Sequence, residues 1–317
     1  MTAKTYAART IGKHHWKTRL TAFSFLFPHL LLFSVFFLIP SVVGIASAFT
    51  DWQLGKPMVF VGLENFKTLF FNQDSQYYWQ LRWGLASTVK FVLLTVPFQI
   101  AVPLLLAVAL QRKPFAHKVF QSIFYLPALL SIAVVMLSWN YMFNMSAGFI
   151  NQALGLGKLN WVTSPTHSWM ALVIITVWWV SGGNMIIYQS ALASIPQELY
   201  EAAAVDGANG VQQFWHITVP GMRYPLTYTA ITSVIMQFGI YGQPLMFNPT
   251  SAGGPTVAII NGFDKRSYYV MLMYIFDLGF GRTGGNPGMA SAMALVLGLV
   301  ILVVSVIQFR VLKANAQ

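Results

Sequence analysis

The chain has 317 residues, 56% of them hydrophobic and only 9% charged, with a mean hydropathy of +0.60. Soluble domains carry roughly 25% charged residues, so this composition excludes a soluble globular protein and implies an integral membrane protein. The net charge of +11 does not mark a nucleic-acid surface, because the basic residues are scattered as flanks of apolar runs, with no groove of interleaved aromatics. The lack of cysteine excludes disulfides and thiolate metal sites.

Residues 1–19 carry Lys4, Arg9, Lys13, Lys17 and Arg19 and no acid, which reads as a basic tail. The adjacent His14 and His15 point to different helix faces and make no metal pair. An uncharged run then extends from Leu20 to Thr50. A secretory signal core has about 7–15 apolar residues, so this longer run is read as a retained first span over 20–49, in spite of the cleavage-like triplet Ala46-Ser47-Ala48. Pro28 and Pro40 are expected at its ends or at a kink.

Asp51 to Lys90 is the first polar connection, and Tyr77, Tyr78, Trp79 and Trp83 fit an interfacial aromatic belt. The second span is expected over 91–111, interrupted by Pro97 and Pro103 and followed by Arg112-Lys113-Pro114 and Lys118. The third covers 119–143 and the fourth 168–193, separated by a glycine-containing connection. The fifth, 224–247, is the least apolar, holding Gln237, Tyr241, Gln243 and Pro244. After a long connection, 248–286, the sixth span covers 287–309, where Ala290, Ala294 and Gly298 at four-residue steps permit close helix approach. The expected fold is therefore an all-α integral membrane protein with six transmembrane helices, a membrane domain over 20–312 and a short tail over 313–317.

Six spans place both ends on one side, and the positive-inside rule sets which side. With the N-terminus in the cytoplasm, the inner segments hold 11 Lys and Arg in 64 residues and the outer ones 8 in 104. The density inside is about double, so residues 194–223 face the cytoplasm.

That 194–223 loop holds Glu198, Glu201 and Asp206, three of the chain's eight acidic residues. Ser194 and Gln197 have the spacing of a capping box, with Pro196 in the first turn. Glu198 and Glu201 then lie near the positive end of the helix dipole, and Gly207 supplies the backbone freedom that ends the helix. Val211, Phe214, Trp215 and Thr218 recur at helical spacing as the bulky face of a second short helix, which Pro220 stops.

Glu201-Ala202-Ala203, then Gly207 after three residues, Ile217 after nine more and Pro220 after two, resembles the EAA loop of ABC importer permeases; Val219 stands where that family favours leucine. Asp51-Trp52, Val61-Gly62-Leu63-Glu64-Asn65-Phe66, Phe124-Tyr125-Leu126-Pro127, Ser194 through Tyr200 and Gly253-Gly254-Pro255 extend the resemblance over roughly residues 20–312. They are similar to the permeases of carbohydrate ABC importers of the maltose and glycerol-3-phosphate type. The resemblance implies a type I importer permease in a bacterial inner membrane. It further implies a second permease as partner, an ATPase dimer beneath, a solute-binding protein outside and surrounding membrane lipid. It makes Glu198, Glu201, Ala202, Ala203, Asp206, Gly207, Ile217 and Pro220 the coupling helix that docks on the ATPase.

The chain contains no G-x-x-x-x-G-K-[ST] loop to cradle nucleotide phosphates, so ATP and magnesium belong on the partner and no cofactor is expected here. No nucleophile, carboxylate pair or metal cluster lies within the spans, which argues against an enzyme. A secondary, ion-coupled carrier is the alternative, but it calls for inverted repeats or an intramembrane ionisable group, and only Lys90, at a margin, approaches that. Sugars need amide and hydroxyl partners and aromatic faces. Trp178, Ser181, Asn184 and Tyr188 on the fourth span, with Gln237, Tyr241 and Gln243 on the fifth, are the candidate substrate pathway. Interhelical hydrogen bonding is the competing reading of the same residues.

Overall fold

The computed structural model describes residues 3–248, 253–281 and 285–314; the far end of the C-terminal tail and the Ser251-Ala252 part of the glycine-rich connection lie outside the described residues. Among them, four helical stretches are long and apolar enough to cross a membrane: Arg19–Ser47, Gln76–Gln111, His167–Leu192 and Pro287–Arg310.

The first of these is not one smooth helix. Helix α1 (Ala3–Phe33) runs through the basic tail and past Pro28 without a break, widens into a π turn at Ser34–Leu38, and continues as α2 (Ile39–Ser47). Pro40 explains the widening: it has no N–H to donate and its ring crowds the carbonyl four residues back, so one extra residue in the turn relieves the clash. Most of this span is exposed. Its C-terminal end is tied down by the Ser47 hydroxyl, 2.7 Å from that of Ser291.

The second span begins earlier than the hydropathy indicates. Helix α4 (Gln76–Gln111) is a single 36-residue helix, started by the Ser75 side chain, which accepts from the Tyr77 N–H. The aromatics of Tyr77 to Trp83, expected in a polar connection, are its opening turns. Lys90 is therefore inside the helix, with its ammonium 4.6 Å from the Trp169 ring centre, where a π face meets the cation in place of an acid.

The third and fifth spans differ most from expectation. Residues 117–142 form α5 (His117–Tyr125), a 3-10 turn at Leu126–Leu129 and α6 (Ile132–Met142), with a bend of 105°. Pro127 cannot continue the α-helical ladder and Ser131 is extended, so the chain turns there. The fifth segment splits into α12 (Arg223–Phe238) and α13 (Gly242–Phe247) around Gly239–Tyr241. The 16 residues of α12 span about 24 Å, short of the about 30 Å hydrocarbon core. The described residues thus give four continuous spans plus one bent pair, which does not by itself account for all six expected transmembrane helices.

The remaining elements sit in the connections. Two short antiparallel ribbons qualify the all-α expectation: β1 (Thr50–Asp51) with β2 (Val59–Phe60), and β3 (Thr256–Ile260) with β4 (Phe263–Arg266). Helices α3 (Glu64–Phe71), α7 (Phe149–Ala153), α8 (His167–Leu192), α14 (Met271–Phe280) and α15 (Pro287–Ala314) complete the chain outside the 194–223 loop. The family-like motifs prove to be joints. Buried Asn65 donates to the carbonyls of Ala48 and Thr50, each at 2.9 Å. Gly253 and Gly254 adopt φ of +74° and +81° beneath the rings of Tyr269 and Tyr268.

Helix α4 is the hub. Its N-terminal half meets α14 where Gly84 has no side chain to hold off Met271, and the Met271 N–H donates to Thr88 Oγ1 at 2.9 Å. One apolar cluster gathers Trp139, Phe143, Trp161 and Tyr268 about Phe91 of that half. A second joins α4 to α15 through Val92, Val96, Met293 and Val296. A third, at the opposite end, is built from Leu104, Leu110, Met185, Tyr188 and Met222.

Candidate functional site

The 194–223 loop is seated on that third cluster and projects from it. It comprises α9 (Gln197–Val205), α10 (Gly210–Gln213), a π turn at Phe214–Thr218 and α11 (Val219–Gly221). The expected Ser194/Gln197 capping box is absent: the Ser194 hydroxyl donates back to the Ala191 carbonyl at 2.7 Å, and Gln197 Nε2 donates to Glu201 Oε1 at 2.8 Å. Pro196 occupies the cap position, and its backbone leaves Ser194 too far back to reach the first turn. The capping box stands instead at α10, between Asn209 and Gln212. The same N-x-x-Q spacing was present in the sequence.

Gly207 ends α9 as the sequence predicts. With φ of +81°, it lets the Ala208 N–H reach the Ala203 carbonyl at 2.8 Å and its own N–H reach Ala204 at 3.1 Å, a Schellman closure. The second arm shows the same proline device as the first span, the π turn lying two residues ahead of Pro220. The two arms are tied by the hydroxyls of Tyr200 and Thr218, 3.0 Å apart. Phe214 packs inward on the Leu104–Met185–Met222 cluster, so of the expected bulky face only part is outward.

What the loop presents to its surroundings is mixed. Glu198, Glu201, Ala202, Asp206, Gly207 and Pro220 are exposed, while Ala203 and Ile217 are half-buried. Around them Leu199, Val205, Val211 and Trp215 leave apolar side chains uncovered, Val205 at 88% exposure. Between the arms is a recess of about 300 Å³ that gathers Ala203, Asp206, Gly207, Gln212, His216 and Ile217. The loop thus sets acids beside uncovered apolar groups over the third apolar cluster.

The candidate pathway residues do not converge on one cavity. Asn184 Nδ2 donates to the Gln99 carbonyl at 3.1 Å and Gln237 Nε2 to Gln99 Oε1 at 3.3 Å, which joins α8 and α12 to α4. Gln99, absent from the sequence-based candidates, is the centre of this node and is 1% exposed, and its Nε2 makes no hydrogen bond among the described residues. Tyr188 is fully buried and pairs its hydroxyl with Thr229. Ser181 donates to the Val177 carbonyl of its own helix. Trp178 stands edge-on to Trp139 at 5.4 Å, Tyr241 lies 5.0 Å from Phe276, and Gln243 is half-buried at the start of α13.

Trp178 and Ser181 also line a groove of about 1010 Å³ between α4, α8 and the bent segment, whose walls are otherwise almost entirely aliphatic and aromatic, including Leu94, Phe98 and Ile174. The polar residues on these walls are Lys90, Thr166 and Ser181, whose hydroxyl already donates within its own helix, and among the described residues there is no side-chain amide on them of the kind a sugar site uses. Among the described residues no three His, Cys, Asp or Glu stand together as a metal site.

Residues 85–315 match the family described as binding-protein-dependent transport system inner membrane component. The chain belongs to this permease family. It is 31% identical over 285 residues to the probable starch degradation products transport system permease protein of Thermoanaerobacterium thermosulfurigenes, covering 90% of this chain and 91% of that one. It is 30% identical over 290 residues to an arabinooligosaccharides transport system permease protein of Halalkalibacterium halodurans, covering 89% and 84%. The sn-glycerol-3-phosphate transport system permease protein of Pectobacterium atrosepticum is 28% identical over 297 residues, covering 92% and 94%. The fold of this permease is similar to that in the crystal structure of a bacterial ABC transporter involved in import of the acidic polysaccharide alginate. The TM-score is 0.76 at 22% identity, over 95% of this chain and 98% of that chain.

Proposed function

We propose that this permease is one half of the passage of an ATP-driven importer for di- or oligosaccharides, and that its 194–223 loop is the cytoplasmic contact for a separate ATPase. The observation that carries the reading is the exposed, internally braced protrusion at Gln197–Gly221. It joins α8 directly to α12, so a push on the loop acts on two membrane helices at once. Glu198, Glu201 and Asp206 supply charge complementarity for a partner, and Leu199, Val205, Val211 and Trp215 supply apolar contact. Gly207 and Pro220 shape the two arms, and Ala202 and Ala203 keep the surface low. ATP and magnesium are held by that partner, while a second permease and an external binding protein complete the assembly. The N-terminus then lies in the cytoplasm, in keeping with the basic inner segments.

The relatives named for starch degradation products and arabinooligosaccharides support this substrate class. Within this chain Trp178, Tyr241 and Gln243 are the residues left to face a passage, because Asn184, Tyr188 and Gln237 are engaged between helices and the Ser181 hydroxyl is engaged with its own helix.

The chain's freedom from cysteine makes a direct test simple. Val205→Cys, combined with single cysteines on the co-expressed ATPase, should crosslink under oxidation and lock uptake of radiolabelled maltodextrins or arabinooligosaccharides. Crosslinking confined to the outer face, or uptake in ATP-free vesicles driven by a proton gradient, would overturn it in favour of an ion-coupled carrier.

A further inference from the structure

The turn between α4 and α5, residues 112–116, together with the first two residues of α5, carries a cluster that the loop chemistry above does not use. Phe115 is 97% exposed, the highest value among the large apolar side chains of the described residues. It is thrust outward by two non-glycine residues in the left-handed region, Lys113 at φ 47° and Ala116 at φ 59°. That costly backbone is fixed by Lys113 N–H to Leu110 at 3.0 Å and His117 N–H to Pro114 at 3.0 Å. Beside Phe115 stand Arg112, Lys113, His117 and Lys118, and no Asp or Glu occurs anywhere between Asp74 and Glu198. Arg112 is turned toward the neighbouring loop, its Nη2 being 3.6 Å from where a Cβ on Gly210 would sit. Lys113 and Lys118 are exposed and make no ion pair among the described residues. The apolar surface continues from Phe115 into exposed Val119, Phe120 and Ile123 on α5.

We propose that this turn is a docking site for anionic phospholipid of the inner leaflet, with Lys113 and Lys118 on the headgroups and Phe115 inserted beside them at the acyl boundary. An uncovered aromatic flanked only by cations, and continuous with an apolar helix face, matches an anionic bilayer surface, where each nearby lysine adds attraction and an amphipathic ring lodges at the interface. Residues 194–223 offer the contrasting chemistry of acids and apolar groups, suited to a basic protein partner. The inference rests on the cytoplasmic orientation proposed above.

The test uses the full chain in vesicles with a polarity-sensitive fluorophore on Phe115→Cys. Spin-labelled phosphatidylglycerol should quench it more strongly than spin-labelled phosphatidylcholine at equal mole fraction. Adding K113Q and K118Q should lower that preference about fivefold per cation removed, with unchanged insertion. Equal quenching by the two lipids overturns the site. So does a label that stays aqueous until the ATPase is added, which would make the turn a protein contact. A parallel label on Val205→Cys should be aqueous in every vesicle and shielded only by the ATPase; its failure would sink the coupling proposal and leave the lipid result standing.

Discussion

Gly182 and Gly183 are neighbours on α8, and the structure assigns them opposite sensitivity. A Cβ at Gly182 would lie 2.6 Å from Tyr125 Cα and 3.1 Å from the Phe124 carbonyl carbon, whereas one at Gly183 would meet nothing within 4 Å. The obstacles at Gly182 are backbone atoms of the last turn of α5, so no side chain can swing away. Restoring carbon contacts to the ordinary about 3.5–4.0 Å requires the bent segment to withdraw from α8 by roughly 1 Å, which forfeits a quarter to a half of the dispersion attraction along that contact. Overpacking of this kind costs about 1–3 kcal/mol, and the backbone origin of the clash places Gly182→Ala at the upper end. At about 2–4 °C per kcal/mol for a chain of this order of size, the solubilised protein should melt roughly 5–10 °C lower. Gly183→Ala should be neutral or slightly stabilising, by up to about 1 kcal/mol from helix propensity. Thermal melting followed by size-exclusion fluorescence of the detergent-solubilised chain makes the comparison. Equal melting of the two variants would refute the packing of α5 against α8 described above.

Three further outcomes follow from the same geometry. Gly207→Ala meets open space but a φ of +81°, so it should cost only the backbone term of about 1–2 kcal/mol and reduce uptake at normal membrane levels, while Gly207→Asn, which tolerates that conformation, should retain most activity. Gln237→Leu removes one donor to Gln99 and should lower stability by about 0.6 kcal/mol, at most about 1.7, without altering the KM for uptake; a large KM change would move Gln237 into the passage. Trp178→Ala and Gln243→Ala should raise the KM for saccharide uptake several-fold, with melting unchanged in Gln243→Ala and lowered in Trp178→Ala by loss of the ring contact with Trp139, worth about 0.5–1.5 kcal/mol; loss of protein level alone would place both among the packing residues.

The order of apolar runs, the polar excursion at 194–223 and the turn at Gly207 were legible in the sequence because each is set locally, by hydropathy or by a single backbone requirement. Helix ends were not. The start of α4 lies in an aromatic, charge-bearing stretch that reads as a connection until Trp169 supplies a face for Lys90 and α14 covers Gly84, and both are long-range contacts. The bend at Leu126–Ser131 was marked by Pro127 but not its angle, which the backbone of α8 at Gly182 fixes. Asn184, Tyr188 and Gln237 were visible as polar residues in apolar spans, yet whether such a group faces a passage or another helix depends on the partner across the gap. Gln99 escaped notice because one amide in a run of valines and leucines carries no pattern.

The Gln99 node bears on how a push at the loop reaches the bilayer. Helices α8 and α12 leave the loop at its two ends and both return to α4 at the same residue, one through a carbonyl and the other through a long 3.3 Å amide contact. Gln99 Nε2 and, one turn earlier, Thr95 Oγ1 are buried without hydrogen bonds among the described residues. In a fixed structure that is a standing cost of about 1–3 kcal/mol for each unmet group. In a passage that alternates between two packings, under the importer reading, the cost has a use. A small shift of α12 past α4 breaks one weak bond and gives these groups new partners, so the two arrangements lie close in free energy and a partner's modest push can select between them. Thr95→Val, which removes an unmet hydroxyl without breaking a hydrogen bond, should then stabilise the fold while slowing transport. Stabilisation with undiminished transport would place the joint elsewhere.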